Sequence, residues 1–427
     1  MLLKERIESY FDRLWPICRS ITGAGYRESL AILSEIIPVE RFRFETGRKV
    51  FDWTVPNEWV VRDAYMIDPA GKKLGDFKEN NLHLLNYSAP FEGAISLADL
   101  RPHLHSLPGQ PNAIPYLTSY YQEWWGFSLT DRELCSLSEG EYYVHINTEL
   151  KPGHLEVGEA VLPGESKQEV LFSTYLCHPS LANNELSGPL VLAFLYERLA
   201  KMRVRRYTYR FVIVPETIGA ICYLSERGQH LRDKLVAGYQ ITCVGDSGQF
   251  TYKTSRRGNT LADQAAKLVL RDLGPHEIIS FDPYEGSDER QYCSPGFDLP
   301  VGSLMRTRYL KYPQYHTSLD NKDFITFDAL VGSLDAYGAV VSALEANRVW
   351  ENMVKFGEPQ LGKRGLYSSI GGLTTVDDRN RAMMWILNLA DGCHDIFTIA
   401  ERSKLPIGLL SSVAEELATA GLVVEKQ

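Results

Sequence analysis

Strand-like and helix-like segments alternate along residues 166–346, and this alternation limits the chain to a small set of folds. Short runs rich in β-branched and aromatic residues, such as "EVLFSTYLC" and "YTYRFVIVP", are each followed by a longer helical stretch. That order of segments is typical of a parallel sheet whose strands are joined by crossover helices. The sequence therefore predicts an α/β protein with a mostly parallel sheet flanked by helices.

The rest of the chain differs from this pattern. Residues 1–45 have helical periodicity, and we assign them to one domain with residues 119–350. Residues 46–118 contain short β-like runs broken by Pro, Gly and Asn, which predicts a small inserted β-rich domain. A Gly- and Ser-rich link precedes residues 356–427, where helical segments and a final "LVVEK" strand predict a winged helix.

Composition excludes several classes of partner. The net charge of −9 gives the surface little attraction for nucleic acid or for anionic membranes. The seven cysteines contain no C-x-x-C pair, as expected for reduced thiols. The N-terminus has no signal-peptide core, and no apolar run stands out as long enough to span a membrane. We expect a cytoplasmic protein without a nucleic-acid or membrane partner.

Three of the predicted strands end on a polar side chain. "EVLFSTYLC" leads to His178, "YTYRFVIVP" leads to Glu216, and "GYQITCVG" leads to Asp246. Ligands of open α/β sheets bind beyond the carboxyl ends of the strands, so these side chains are expected at one rim. Each of them alone is equally compatible with a helix cap or a satisfied buried group. Their corresponding positions favour a functional site.

Two later segments add candidate residues. "FDPYEGSDERQY" places Asp288 and Glu289 in an acidic loop, which is also compatible with a merely solvated surface. "KYPQYHTSLDNKDF" places His316 among tyrosines before a long apolar helix. A loop histidine of this kind is either exposed or, beside aromatic cover, suited to bind a metal ion.

These motifs resemble those of zinc-dependent aminopeptidases of the transferrin-receptor and glutaminyl-cyclase clan. The segments that carry the resemblance are "HPSLANNELSG", "VPETIGA", "CVGDSG", "GSDERQY" and "YHTSLD". Three longer segments are similar to bacterial aminopeptidase-like proteins that are often linked to polysaccharide biosynthesis clusters: "RLWPICRSITGAGYRESL", "VFDWTVPNEW" and "LCHPSLANNELSGP". The resemblance implies a zinc-aminopeptidase-like, mostly parallel mixed sheet with an inserted β domain and a C-terminal winged helix.

Two departures from the clan's pattern concern the metal. Asn184 stands where two-metal members have the aspartate that bridges both ions. Thr217 follows Glu216, where those members have a second carboxylate. A neutral amide offsets the charge of two dications less well than a bridging carboxylate. The sequence therefore argues against a two-zinc centre.

One zinc ion remains compatible with the sequence. His178 and His316 supply nitrogen ligands, and Glu185 supplies an oxygen ligand, with a fourth position open to water. Asp246 or Asp288 could be the oxygen ligand in place of Glu185, or could orient a metal-binding histidine through a hydrogen bond. The competing interpretation is a degenerate pocket that holds no metal.

The resemblance also assigns roles in catalysis. Glu216 matches the clan's general base. Asp288 or Glu289 would bind a free amine of the substrate, and Asn184 is a further contact of ligands or substrate. Arg306 ends the strand "LPVGSLMR" and would hold substrate or an oxyanion, although a plain basic loop explains it equally well.

Two functions compete. The first is a zinc-dependent aminopeptidase-like hydrolase that cleaves an amide bond of a peptide or an amide-modified sugar. The second is a non-catalytic binding or scaffold protein with a degenerate peptidase fold. The second helix of the winged helix carries Glu415 and Glu416 and no Lys or Arg, which disfavours DNA binding. A role in homo-oligomerisation or in binding a protein partner is left open.

Overall fold

A computed structural model describes residues 2–366 and 378–426 of the chain. The chain divides into two compact units, which are described separately below. The first unit comprises Met1–Gly258 and Glu277–Leu334, and the second comprises Asn259–His276 and Asp335–Gln427.

The described residues contain strands that we number in chain order. The strands are β1 (Glu40–Glu45), β2 (Lys49–Val50), β3 (Trp53–Thr54), β4 (Glu58–Ile67), β5 (Lys73–Leu74), β6 (Phe91–Ser96), β7 (Leu104–His105), β8 (Phe127–Ser128), β9 (Glu141–Lys151), β10 (His154–Leu162), β11 (Glu169–Tyr175), β12 (Thr208–Val214), β13 (Leu235–Gln240), β14 (Phe250–Lys253), β15 (His276–Ile279), β16 (Val301–Met305), β17 (Val349–Asn352), β18 (Asp391–Asp395) and β19 (Val423–Glu425).

The α-helices are numbered in the same way. They are α1 (Leu3–Leu14), α2 (Ala24–Leu33), α3 (Leu97–Leu100), α4 (Asp131–Cys135), α5 (Ser187–Ala200), α6 (Ile218–Lys234), α7 (Leu261–Leu273), α8 (Glu289–Tyr292), α9 (Phe327–Ala346), α10 (Asp378–Leu389), α11 (Ile396–Ser403) and α12 (Ile407–Thr419).

An eight-stranded mixed sheet organises the fold. Its strand order is β1-β10-β12-β11-β13-β16-β14-β15. The four central strands β12, β11, β13 and β16 are parallel, whereas β10 and β14 run antiparallel to their neighbours β12 and β16. Helix α5 packs against β11 and β12, and helix α6 packs against β10, β12 and β13. The predicted mostly parallel mixed sheet with flanking helices is confirmed.

The N-terminal residues differ in part from the helical prediction. Helices α1 and α2 are present, but Glu40–Glu45 forms the edge strand β1. In this segment Phe42 and Phe44 alternate with Arg41 and Arg43, which is a two-residue period. The period therefore favours a strand, and β1 pairs with β10 along its whole length.

A second, antiparallel sheet has the strand order β5-β4-β9-β6. Strands β4, β5 and β6 lie within the predicted β-rich insertion, and β9 comes from residues after it. After β9 the chain turns at Pro152 and Gly153 and enters β10 of the large sheet. The domain boundaries inferred from the sequence remain a prediction.

The second unit contains the winged helix. Its three-stranded sheet has the order β18-β17-β19, and helices α10, α11 and α12 accompany it. The Asp395 side chain accepts a hydrogen bond from the Thr398 backbone N–H and so caps α11. The predicted Gly- and Ser-rich link lies within this unit and partly outside the described residues. The predicted winged-helix outline is confirmed.

Helix α9 corrects one expectation from the sequence. Its 20 residues are long and apolar enough to cross a membrane by length and composition, although no such run was expected. In the structure, 61% of its most apolar window is buried inside the protein. The core helix of a globular protein has the same features.

Arg210 links three strands of the large sheet through buried charges. Its guanidinium donates to both oxygens of Glu169 on β11, at 2.7 and 2.9 Å, and also donates to Glu159 on β10. The hydroxyl of Tyr223 donates to the same Glu159 carboxylate at 2.6 Å. Buried carboxylates are costly unless they are paired, so Arg210 is needed to keep both of them in the sheet.

We predict that Arg210→Ala lowers the free energy of unfolding by about 3–5 kcal/mol, because it leaves buried carboxylates without their main partner. Urea unfolding followed by circular dichroism measures the loss. The control is Arg13→Ala, which removes an exposed two-point pair with Glu35 and should change stability little. Equal losses in the two variants would contradict the prediction.

Candidate functional site

The site begins where strand β11 ends at the carboxyl edge of the large sheet. All residues of β11 are buried, and Cys177 and His178 follow it. The chain then makes a five-residue π-helical turn, Ala182–Leu186, that leads directly into helix α5. Such wide turns occur often at functional sites. Here the turn returns Glu185 to within hydrogen-bond distance of His178.

His178 is buried, and its two ring nitrogens have different surroundings. Nδ1 lies 2.8 Å from Oε2 of Glu185, and Nε2 lies 3.6 Å from Oε2 of Glu216. Burial acts to lower the pKa of His178, but the hydrogen bond and charge of Glu185 outweigh it and raise that pKa. Burial also raises the pKa of the Glu185 carboxyl, against the effect of His178.

His316 lies beside His178. The centroids of the two rings are 5.4 Å apart. The His316 ring stacks on Tyr315 at 4.0 Å, and its backbone carbonyl accepts a hydrogen bond from the Tyr116 N–H at 2.8 Å. Burial, with a smaller effect of His178, lowers the pKa of His316 to about 3, so the imidazole is neutral at physiological pH.

Glu216 follows strand β12 and completes the group. Its Oε1 accepts a hydrogen bond from the Ser287 hydroxyl at 2.7 Å, which leaves Oε2 directed at His178. The Glu216 side chain is 27% exposed, so it is open to solvent while His178 is not. The structure thus brings together His178, Glu216 and His316, which the sequence placed at separate strand ends and loops.

Thr217 and Asp288 adjoin Glu216. Thr217 has φ 63°, an unfavourable conformation for a β-branched residue, and its N–H donates to Oδ1 of Asp288 at 2.7 Å. Burial, with the charge of Glu216, raises the pKa of Asp288 well above its usual range. Within the described part of the chain, Oδ2 of Asp288 has no hydrogen-bond partner.

Three other predicted site residues are bound to neighbouring groups, and one of them, Asp246, accepts a hydrogen bond from the Asn183 side chain in the π turn at 3.0 Å. Asp246 accepts a hydrogen bond from the Thr307 hydroxyl at 2.6 Å. Glu289 forms a buried ion pair with Lys253 at 3.0 Å. Arg306 donates to two backbone carbonyls and to a serine hydroxyl. These side chains are engaged with the surrounding structure, and their predicted roles remain predictions.

Asn184 and the π turn are held by Asp320, which the sequence did not single out. Asp320 is buried and accepts the backbone N–H groups of Asn183 and Asn184 at 2.6 and 2.9 Å. Burial raises the pKa of Asp320 to about 7, against the lowering effect of these N–H groups. Asp320 lies four residues after His316, in the motif "YHTSLD". It therefore joins the His316 loop to the π turn.

Arg19 is the second residue that the sequence did not indicate. It is fully buried, and its Nη1 donates to the Leu14 carbonyl at 2.6 Å. Its Nε donates to the His178 carbonyl at 3.3 Å and lies 3.8 Å from Oε1 of Glu185. Arg19 lies in "RLWPICRSITGAGYRESL", a segment that carries the family resemblance. That segment contains no catalytic or metal-binding motif, so nothing in it pointed to Arg19.

The spacing of the His178 and His316 rings is compatible with one zinc ion bound to both. With a Zn–N distance of 2.0–2.1 Å, an imidazole centroid lies about 3.2 Å from zinc, and two rings at a tetrahedral angle lie about 5.2 Å apart. The 5.4 Å between the centroids of His178 and His316 agrees with this value. The 3.6 Å from Nε2 to the Glu216 carboxylate is also compatible with one ion bound to both atoms, given Zn–N and Zn–O distances of about 2.0–2.2 Å.

A second group of ligand-type atoms lies on the Nδ1 side. Cys177, His178 and Glu185 place one such atom each within 4.8 Å of one another. A direct hydrogen bond already joins His178 and Glu185 there, and the Arg19 guanidinium stands beside the carboxylate. A fixed positive charge opposes a cation at this position. The Nε2 side is therefore the better candidate.

Comparisons with known proteins identify the family. Residues 9–347 match the model of a domain family described as of unknown function, DUF4910. This chain belongs to the DUF4910 family. Residues 348–425 of the DUF4910 chain match a winged helix-turn-helix model, in agreement with the observed fold.

Relatives agree with the aminopeptidase-like fold. A Clostridium acetobutylicum protein is 43% identical over 412 residues, 96% of this chain and 94% of its own, and is provisionally named a polysaccharide biosynthesis protein with an aminopeptidase-like domain. A crystal structure from that organism, provisionally described as a peptidase, has a TM-score of 0.92 and 41% identity over 99% of this chain and 96% of its own. The zinc aminopeptidase of Bacillus subtilis has a TM-score of 0.57 and 13% identity over 79% and 94%, which shows the fold alone. The expected family resemblance is confirmed.

We predict that Asp320→Ala destabilises the π turn, because it leaves two buried N–H groups unpaired at about 1–3 kcal/mol each. Hydrogen exchange read by mass spectrometry should show faster exchange in the segment that contains Asn183 and Asn184. The control is Asp323→Ala at a nearby exposed position, which should change neither exchange nor stability. Unchanged protection in Asp320→Ala would contradict the prediction.

Proposed function

We propose that this DUF4910 chain is a single-zinc, aminopeptidase-like hydrolase that cleaves an amide bond. One observation carries the proposal: Nε2 of His178 lies 3.6 Å from the Glu216 carboxylate, and the ring of His316 lies beside the His178 ring at a centroid distance of 5.4 Å. Two imidazoles and a carboxylate around one open point are the usual make-up of a catalytic zinc site.

His178 and His316 would hold the ion through ring nitrogens. Glu185, the oxygen ligand expected from the sequence, uses Oε2 on the other nitrogen of His178. Water or substrate would fill the remaining positions. Zinc, when bound, lowers the pKa of a water molecule and polarises a carbonyl group.

Glu216 carries the proton in this proposal. Its Oε1 is fixed by Ser287, so Oε2 remains free to take a proton from the attacking water and to return it to the leaving amine. The partial exposure of Glu216 lets a substrate approach from solvent. The same 3.6 Å distance also suits a direct metal ligand, and the experiment below separates the two roles.

The surroundings suggest an amide-bearing sugar as substrate. Tyr116 lies 4.9 Å from His178, ring centroid to ring centroid, and its hydroxyl hydrogen bonds to Tyr120 at 2.7 Å. Tyr116 is buried, but Tyr120 is partly exposed, and a tyrosine ring offers a flat apolar surface that suits a sugar ring. The relative's provisional assignment to polysaccharide biosynthesis favours the same class over a free peptide. Asp288, if ionised by a bound amine, would anchor a cationic group beside Glu216.

A non-catalytic binding protein is the second candidate. Asn184 and Thr217 favour it, because they remove two carboxylates from positions where two-metal enzymes have them. The acidic surface of helix α12 supports a winged helix that packs against protein and not nucleic acid: Glu416 pairs with Arg379, and the helix contains no Lys or Arg. Cytoplasmic location and the absence of a nucleic-acid partner remain predictions.

We predict about one zinc per full-length chain after mild dialysis, measured by elemental analysis. His178→Ala and His316→Ala should lose the ion, because each removes a nitrogen ligand. The control His394→Ala removes a histidine of the winged helix and should retain zinc. Two ions per chain would contradict the single-ion proposal, and none would favour the binding protein.

We predict that Glu216→Gln keeps zinc and lowers kcat about 10²–10⁴-fold, because the amide preserves shape and removes only basicity. Steady-state rates on a panel of N-acylated sugars and aminoacyl amides, with zinc content measured in parallel, provide the test. Zinc loss in this variant would make Glu216 a ligand. Unchanged turnover would remove it from the mechanism.

A further inference from the structure

We propose that Glu185 and the buried Arg19 form a positioning device that sets the tautomer and the orientation of His178. The inference rests on the proposed metal site and assigns neither residue as a metal ligand. It concerns the Nδ1 side of the ring, which the proposed reaction does not use.

Glu185 determines which ring nitrogen carries the proton. Its side chain is fully buried, and Oε2 lies 2.8 Å from Nδ1 of His178. The 2.8 Å hydrogen bond uses Nδ1, and with Glu185 as the acceptor the proton lies on that nitrogen. The lone pair of Nε2 then points to the side where the Glu216 carboxylate lies. This is the tautomer that a metal ligand needs.

Arg19 holds both the carboxylate and the histidine backbone. Its Nε donates to the His178 carbonyl at 3.3 Å and faces Oε1 of Glu185 at 3.8 Å. Nη1 is fixed by the Leu14 carbonyl at the end of helix α1. Since Arg19 and Glu185 are both fully buried, each charge has the other as its neighbour in a site without solvent screening. The charge of Arg19 acts to lower the pKa of the Glu185 carboxyl, against the burial that raises it, and so favours the acceptor form.

The local chain path supports a dedicated arrangement. Glu185 follows His178 by seven residues and reaches Nδ1 because Ala182–Leu186 forms a π turn and not the first turn of a regular helix. A regular α-helix has a different rotation per residue, so it would direct the Glu185 side chain differently. The turn is fixed in place by Asp320 through two backbone N–H groups.

The experiment measures zinc affinity by competition with a chromophoric chelator in the full-length chain. Partners behind a metal-bound histidine contribute about 10–100-fold in affinity. We expect Glu185→Gln, which has the same shape and no charge, to weaken zinc binding by about that factor. Arg19→Lys, which keeps charge but loses the fork of donors, should weaken it less. Thermal melts establish that both variants are folded.

A matched control comes from another buried glutamate with the same kinds of partner. Glu156 accepts from His154 Nε2 at 2.9 Å and pairs with Arg43 at 3.2 Å on the edge of the large sheet. Glu156→Gln should leave zinc affinity unchanged. A loss there equal to that in Glu185→Gln would overturn the inference, because the effect would then be one of general stability.

A second readout does not depend on bound metal. In metal-free protein labelled with ¹⁵N-histidine, at a pH above the raised pKa of His178, the His178 signals, identified by their absence in His178→Ala, should show a protonated Nδ1 and an unprotonated Nε2. Glu185→Gln should mix the two tautomers, because an amide both donates and accepts. If the wild type binds no zinc, this shift still supports the inference while the proposed function fails. Unchanged affinity and an unchanged tautomer would overturn the inference.

Discussion

The hydrogen bond between Nδ1 of His178 and Glu185 is the interaction on which the site depends. It gives the ring one orientation, in which Nε2 faces Glu216 and the ring lies beside that of His316. The bond exists because strand β11 stops at the sheet edge and a π turn brings the chain back within seven residues. The large sheet thus determines the position of the histidine, and the turn determines its direction.

Much of the fold was predictable from the sequence, since it follows from local periodicity. The alternation over residues 166–346 predicted the parallel centre of the sheet, and the same rule predicted that His178 and Glu216 would meet at one edge. Strand β1 was missed because its two-residue period spans only six residues next to helical segments. The pairing of β9 with β4 and β6 was not predictable, since the sequence of one strand does not show which sheet it joins.

The contacts behind the site were harder to predict. Arg19 and His178 are 159 residues apart, and Asp320 lies more than 130 residues from the N–H groups that it accepts. No periodicity connects residues at such separations. Glu185 was predicted as a metal ligand from its residue type and its spacing from His178. The sequence does not tell which ring nitrogen of His178 the carboxylate contacts, and in the structure it is Nδ1. Likewise, the contact of Asp246 with Thr307 depends on the pairing of β13 with β16, and the two residues are 61 positions apart in the sequence.

Arg19 has a consequence for how the protein is made. During synthesis it leaves the ribosome long before Glu185 and His178 are translated, so its guanidinium must stay hydrated until the central strands form. Its guanidinium can be buried beside the Glu185 carboxylate only after those strands and the π turn have formed. The contact therefore belongs to a late step of folding. A chain shortened past Arg19 would lose this guanidinium and leave His178 as the charged neighbour of Glu185.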